Sequence, residues 1–309
     1  MKGPLFYAKI LLFGEYGIIK DSKGLAIPYN SFQGALIKSD ELSEASEKSN
    51  LNLQKFYNYL INLEKQDLVS FRLDEFKADI EDGMYFDSSI PQGYGVGSSG
   101  ALVASIYDKY ADDKITVLEN LTRDKLLKLK QIFSLMESFF HGKSSGLDPL
   151  NSYLSLPILI NSKDNLEPTG IPSQTEGKGA VFLLDSEIIG ETEPMVNIFM
   201  KKMKNEGFRR MLNEDFAKHT DACIEDFLNG NVKSLLGNVK QLSKVVLVNF
   251  KPMIPKAFHK IWKNGIETND YYLKLCGSGG GGYILGFTED FDKTKIILKD
   301  YKLELVYRF

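Results

Sequence analysis

Apolar and polar positions along this chain follow two periods, one close to two residues and one close to four. Residues 5–13, Leu-Phe-Tyr-Ala-Lys-Ile-Leu-Leu-Phe, are dense in apolar and aromatic side chains and predict a strand. Gly14-Glu15-Tyr16-Gly17 breaks it, and Ile18-Ile19 and residues 24–29 predict two further short strands. Residues 39–50 are polar and charged, as in a surface loop or the solvated start of a helix. From there Leu51, Leu53, Phe56, Leu60 and Leu63 recur at helical spacing and predict a helix. Residues 68–73 alternate like a strand, and 76–90 read as extended. Helices are predicted over 98–110, 115–121 and 125–140, then a strand over 154–160 and a loop over 161–178. A buried-type strand at 180–185 leads into a mostly helical region, 192–248, with breaks near Gly207 and Gly230. A helix over 255–264 and strands over 271–276, 283–287 and 301–309 complete the pattern. This mixture predicts an α+β fold in two domains, with a boundary in the 150–165 region that divides the chain into 1–158 and 159–309.

Composition narrows the function classes. With 43% hydrophobic and 26% charged residues, 309 residues can bury a proper core as an ordinary soluble protein. A net charge of −3 gives no global attraction to nucleic acid or membrane. The basic cluster Lys201, Lys202, Lys204, Arg209, Arg210 reads as a solvated helix face, with phosphate steering as the alternative. Two cysteines far apart, Cys223 and Cys276, fit a reducing cytoplasm. Met1-Lys2-Gly3-Pro4 leads into a strand pattern rather than the apolar core of a secretory leader. No stretch approaches the roughly 20 apolar residues of a membrane span. The three histidines, 141, 219 and 259, are too scattered for a zinc site, so any metal is expected to be Mg2+ held by oxygens.

The candidate chemistry centres on residues 91–100, Pro91-Gln92-Gly93-Tyr94-Gly95-Val96-Gly97-Ser98-Ser99-Gly100. A glycine loop running into a helix start aims backbone N–H groups and the positive end of the helix dipole at one spot, which suits phosphate. The adjacent serines can supply a hydroxyl to a metal ion riding on the phosphates. No lysine follows the glycines, so this is not the usual P-loop, and its placement does not fit a dinucleotide fingerprint. A second glycine run, Gly277-Ser278-Gly279-Gly280-Gly281-Gly282, lies between two strand-like segments. Between the two runs stands the carboxylate pair Glu137 and Asp148, which also reads as a solvated helix end. Lys9 sits inside an apolar strand, either as an edge residue with a snorkelling side chain or as a cation aimed into a site. Phosphoryl transfer needs parts of this kind: a triphosphate cradle, oxygen ligands for Mg2+, a proton acceptor and a cation for developing charge.

Three segments resemble the motifs of the GHMP small-molecule kinases, in the same order: Lys9-Ile-Leu-Leu-Phe-Gly14-Glu15, the run from Pro91 to Gly100 with Val96 for leucine and Gly100 for alanine, and the run from Lys274 to Gly282. The resemblance covers nearly the whole chain and implies the two-domain GHMP kinase fold, with the active site in the interdomain cleft. Within the family the likeness is closest to the mevalonate kinases. The run Glu137 to Asp148, with His141-Gly142-Lys143-Ser144-Ser145-Gly146-Leu147-Asp148 at its end, fills their pattern except that Ser144 replaces a common proline. The same run argues against diphosphomevalonate decarboxylase, which shares the fold.

The resemblance implies ATP-dependent phosphorylation of the primary hydroxyl of mevalonate, a step toward isoprenoids. It implies Asp148 as catalytic base assisted by Lys9, and Ser99 and Glu137 as Mg2+ ligands. Gly93, Gly95, Val96, Gly97, Ser98, Ser99 and Gly100 would bind ATP, and Glu15, Tyr16, Thr192, Gly279 and Gly280 would line the acceptor site. Tyr16 stands where those enzymes usually carry a histidine. Tyrosine still donates a hydrogen bond but is larger and neutral, so either the acid is bound differently or the acceptor is another: phosphomevalonate, homoserine or a sugar. A non-catalytic nucleotide-binding relative is the reading from another class. Family members are often dimers, so a homodimer is among the implied partners.

Overall fold

Strand β1, Phe6–Phe13, buries alternate and then successive apolar side chains and ends at Gly14, whose φ of 107° turns the chain. The computed structural model describes residues 3–20, 22–64, 68–116 and 121–309. The chain divides into two compact units. The first comprises Met1–Lys9, Pro28–Pro91 and Gly97–Leu156; the second comprises Ile10–Ile27, Gln92–Val96 and Pro157–Phe309. Strand β1 thus passes from the first unit into the second, and the 15-residue β2, Gly24–Lys38, passes back.

In the first unit the last part of β2 pairs antiparallel with β3, Met84–Ser88, with Gly34 opposite Ser88 and Lys38 opposite Met84. Among the described residues five helices accompany it: α1 Glu44–Glu64, α2 Leu73–Glu81, α3 Ser98–Tyr110, α4 Arg123–His141 and α5 Leu147–Leu154. Helix α1 is amphipathic and buries Leu53, Phe56, Leu60 and Leu63 along one stripe. Helix α3 has no polar stripe: Ala101, Val103, Ala104, Ile106 and Tyr110 are all fully buried. Such a helix is a core element, and its small residues let neighbours come close. Phe56, Phe76, Tyr107 and Phe133 fill the same core. Helix α5 is tied to β1 by Ser152, a buried residue whose hydroxyl donates to the Tyr7 carbonyl at 2.8 Å.

In the second unit β4, Ile158–Ser162, pairs with the start of β2 and forms a hairpin with β5, Asn165–Pro168. A separate antiparallel sheet has the order β7-β8-β6-β9, from Tyr272–Leu275, Tyr283–Thr288, Ala180–Asp185 and Leu303–Arg308. The central β6 is an apolar run because it is buried on both faces. Helices α6 Thr192–Lys202, α7 Glu206–Met211, α8 Ala217–Leu228, α9 Val232–Asn249, α10 His259–Thr268 and α11 Phe291–Ile297 belong to this unit, with a π-helical turn, Leu212–Phe216, between α7 and α8. Its core is built on Phe182, Phe199, Phe250, Trp262 and Tyr271. Among the described residues no helix is long and apolar enough to cross a membrane.

The mixed α+β architecture agrees with the sequence pattern, and the exceptions have physical reasons. Residues 73–81 form α2 rather than an extended segment: Phe76 and Ile80 share one buried face, and Asp74 and Glu75 favour the helix N-terminus. Of the strand expected over 68–73, only Phe71 makes a bridge, to Ala111. Ile18-Ile19 lie in a 3-10 turn, Gly17–Lys20, in which the Ile19 N–H donates to the Tyr16 carbonyl at 3.1 Å. Helix α5 occupies the approach to the strand expected at 154–160, which begins at Ile158. The helix expected over 115–121 falls mainly on 117–120, outside the described residues.

Ser152→Ala is expected to lower the unfolding free energy by about 1–2 kcal/mol, since it leaves a strand carbonyl without its donor. Urea titration of the two proteins side by side measures this, and equal midpoints would show that the tie contributes nothing.

Candidate functional site

A lysine on a buried strand needs a counter-charge. Lys9 is 4% exposed, and its Nζ lies 3.0 Å from Asp148 Oδ1. The side chain therefore does not snorkel; it is the buried half of an ion pair whose carboxylate is 36% exposed. Asp148 sits in the first turn of α5, where a negative charge is favoured by the helix dipole.

The start of α3 lies against this pair. Gly97 precedes it with φ 81°, in the left-handed region, and a Cβ there would lie 3.0 Å from Lys9 Cγ. A Cβ on Gly100 would lie 2.7 Å from the Asp148 carbonyl carbon and 2.8 Å from the Pro149 nitrogen. Both positions thus need glycine for close approach. Ser98, Ser99 and Gly100 form the first turn, at the positive end of the helix dipole, a position that favours an anion.

Glu137 on α4 completes the cluster. It is 3% exposed, and it accepts hydrogen bonds from Ser99 Oγ at 2.9 Å and from Ser144 Oγ. Burial, and then the charge of Asp148, push its carboxyl up to about 7, against the opposing pull of Ser144, Ser99 and Lys9. A buried carboxylate so poorly compensated, with a serine oxygen beside it, is a hard all-oxygen donor set that fits Mg2+. Lys9, Ser99, Glu137 and Asp148, distant in sequence, are thus neighbours within the first unit.

The remaining candidates lie in the second unit. Gly93 accepts at its carbonyl from the Gly190 N–H at 2.9 Å, a Cβ on Gly95 would lie 2.5 Å from the Cys276 carbonyl oxygen, and Val96 is buried. Glu15 is buried in an ion pair with Lys274 of β7. Tyr16 adopts φ 61° and stacks on Phe199, with ring centroids 4.7 Å apart. Its hydroxyl donates to the Ser278 carbonyl at 2.6 Å. Burial, and then Glu15, push that phenol up, so it stays a neutral donor. Thr192 is the exposed first residue of α6, and its hydroxyl accepts from Ser278 Oγ at 3.4 Å. Gly279 is buried, and the Gly280 N–H donates to the Met253 carbonyl at 2.7 Å.

Sequence reasoning gave no role to Lys274 or Ser144. The signal for Lys274 was available, because it repeats the pattern of Lys9, a lysine inside an apolar strand. Ser144 stood out only as a departure from the resembling motif.

The sequence matches no family model and no curated protein. The fold does match solved structures. L. major mevalonate kinase in complex with R-mevalonate is 17% identical with a TM-score of 0.60, over 96% of this chain and 91% of that one. Streptococcus pneumoniae phosphomevalonate kinase, in complex with phosphomevalonate and AMPPNP, is 13% identical with a TM-score of 0.62, over 98% and 99%. Lactococcus lactis galactokinase complexed with galactose is 12% identical with a TM-score of 0.61, over 98% and 92%. The fold is that of the GHMP kinases. The GHMP kinase fold therefore extends over nearly the whole of this chain.

Glu137 sets a pH dependence. Its carboxyl rises from 4.5 to about 7 on folding, so between those values the folded protein holds a proton that the unfolded chain releases. Stability without ligand should fall as pH rises through that window and level off above it. Thermal melts in EDTA from pH 5 to 8 should show a decline that Glu137→Gln removes; equal slopes for both proteins would contradict the burial argument.

Proposed function

We propose that this chain is an ATP- and Mg2+-dependent cytoplasmic kinase that phosphorylates the primary hydroxyl of mevalonate to give 5-phosphomevalonate. The observation that carries the reading is the Lys9–Asp148 pair beside Ser99 and Glu137 at the start of α3. Asp148 takes the proton of the acceptor hydroxyl. It is accessible enough to reach a ligand, and the Lys9 ammonium 3.0 Å away holds the carboxylate in place. Lys9 also stabilises charge that develops on the attacking oxygen. The N–H groups of Ser98, Ser99 and Gly100, with Gly93, Gly95, Val96 and Gly97 of the loop before them, bind the nucleotide phosphates. Ser99 and Glu137 hold Mg2+, which when bound neutralises phosphate charge. Glu15, Tyr16, Thr192, Gly279 and Gly280 form the acceptor side.

The neighbours support the acceptor class, since their ligands are R-mevalonate, phosphomevalonate and galactose, one of them together with AMPPNP. A second acceptor reading stands on Tyr16. Its hydroxyl is spent on the Ser278 carbonyl and its ring is packed among aromatics, which favours an acceptor that does not need a donor at that point.

ADP release with ATP and Mg2+ against mevalonate, phosphomevalonate, homoserine and galactose is the test. Turnover on mevalonate alone is expected; turnover on another acceptor transfers the same chemistry to it, and silence on all four removes the kinase reading. Asp148→Asn should lower kcat by about a thousandfold with ATP affinity unchanged, and near-normal turnover would remove Asp148 from the role of base.

A further inference from the structure

Glu137 is held on two sides. Ser99 donates to Oε1 at 2.9 Å, and Ser144 donates to Oε2. A serine hydroxyl has a single proton, and the surroundings of Ser144 decide where it points. The Gly146 N–H donates to Ser144 Oγ at 3.0 Å, so the oxygen already serves as acceptor there and its proton goes to Glu137. The Ser144 carbonyl in turn accepts from Ser134 Oγ at 2.6 Å, which anchors the 142–146 loop to α4 one turn before Glu137. Ser144 is therefore fixed through its backbone by α4 and through its hydroxyl by the start of α5. Each carboxylate oxygen can accept two hydrogen bonds. With one acceptor site on each oxygen used by a serine, one on each remains.

On the kinase reading above, we infer that Ser144 is a positioning residue for Glu137, holding its carboxylate so that the remaining acceptor sites are presented to a divalent cation. The position departs from the proline that the resembling motif commonly carries, and proline has no side-chain donor. A second donor orienting a metal ligand from behind contributes affinity without touching the metal.

ATP binding without acceptor, measured by calorimetry in Mg2+ and again in EDTA, tests this on the wild type, S144A and S144T. The wild type should bind ATP more tightly in Mg2+. S144A should lose about tenfold of that enhancement, with its affinity in EDTA unchanged, and S144T, which keeps the hydroxyl, should restore it. Should S144A melt below the assay temperature, S144C, a weaker donor, should show the same loss. The inference is overturned if S144A keeps the full enhancement, if it loses affinity equally in both conditions, or if the wild type binds equally well in both. If the wild type binds no ATP at all, the kinase reading itself falls and takes this inference with it.

Discussion

An ammonium group withdrawn from water costs several kcal/mol unless an anion meets it. Much of the first unit follows from that requirement at Lys9. The lysine lies on β1, so a carboxylate has to be brought to β1, and α5 brings it in its first turn. Helix α5 must then be fixed to the strand, which Ser152 does through the Tyr7 carbonyl. The start of α3 must pass close to both members of the pair, and it does so with glycine at 97 and 100. The order of dependence runs from one buried charge to a helix position and then to the glycine spacing.

The second unit meets the same requirement in another way. Lys274 lies on β7, and Glu15 from the turn after β1 partners it. Both of these side chains are almost wholly buried, whereas Asp148 is about one-third exposed. A sealed pair fixes the turn that carries Tyr16. A pair with one open member can exchange its partner for a reacting group. The two pairs differ in exposure more than in residue type.

Elements with a sustained apolar pattern were legible in the sequence: β1, α3, α4, β6 and the strands around the second glycine run. Short helices were not. Helix α2 has two buried apolar positions in nine residues, and the alternation just before it resembles a strand. Helix α11 begins at a capping Asp290 in a stretch with no sustained apolar period. Within the site, the proximity of Lys9, Ser99, Glu137 and Asp148 was foreshadowed by charged residues placed inside or beside apolar elements. The bonds that orient them were not, because the aim of a hydroxyl such as that of Ser144 depends on backbone groups two residues away in a folded loop. The spent hydroxyl of Tyr16 was equally invisible, since its partner is a main-chain carbonyl 262 residues distant in sequence.

Gly100 has a consequence for engineering this chain. Consensus replacement is ordinarily a safe route to stability, because residues frequent among relatives are locally well suited. Here the motif residue is alanine, and its methyl group would meet the backbone of Asp148 and Pro149 rather than a yielding side chain. The helix start and the aspartate turn therefore behave as one exchangeable block. Grafting a helix start with alanine at this position would import a collision unless the aspartate turn were moved with it.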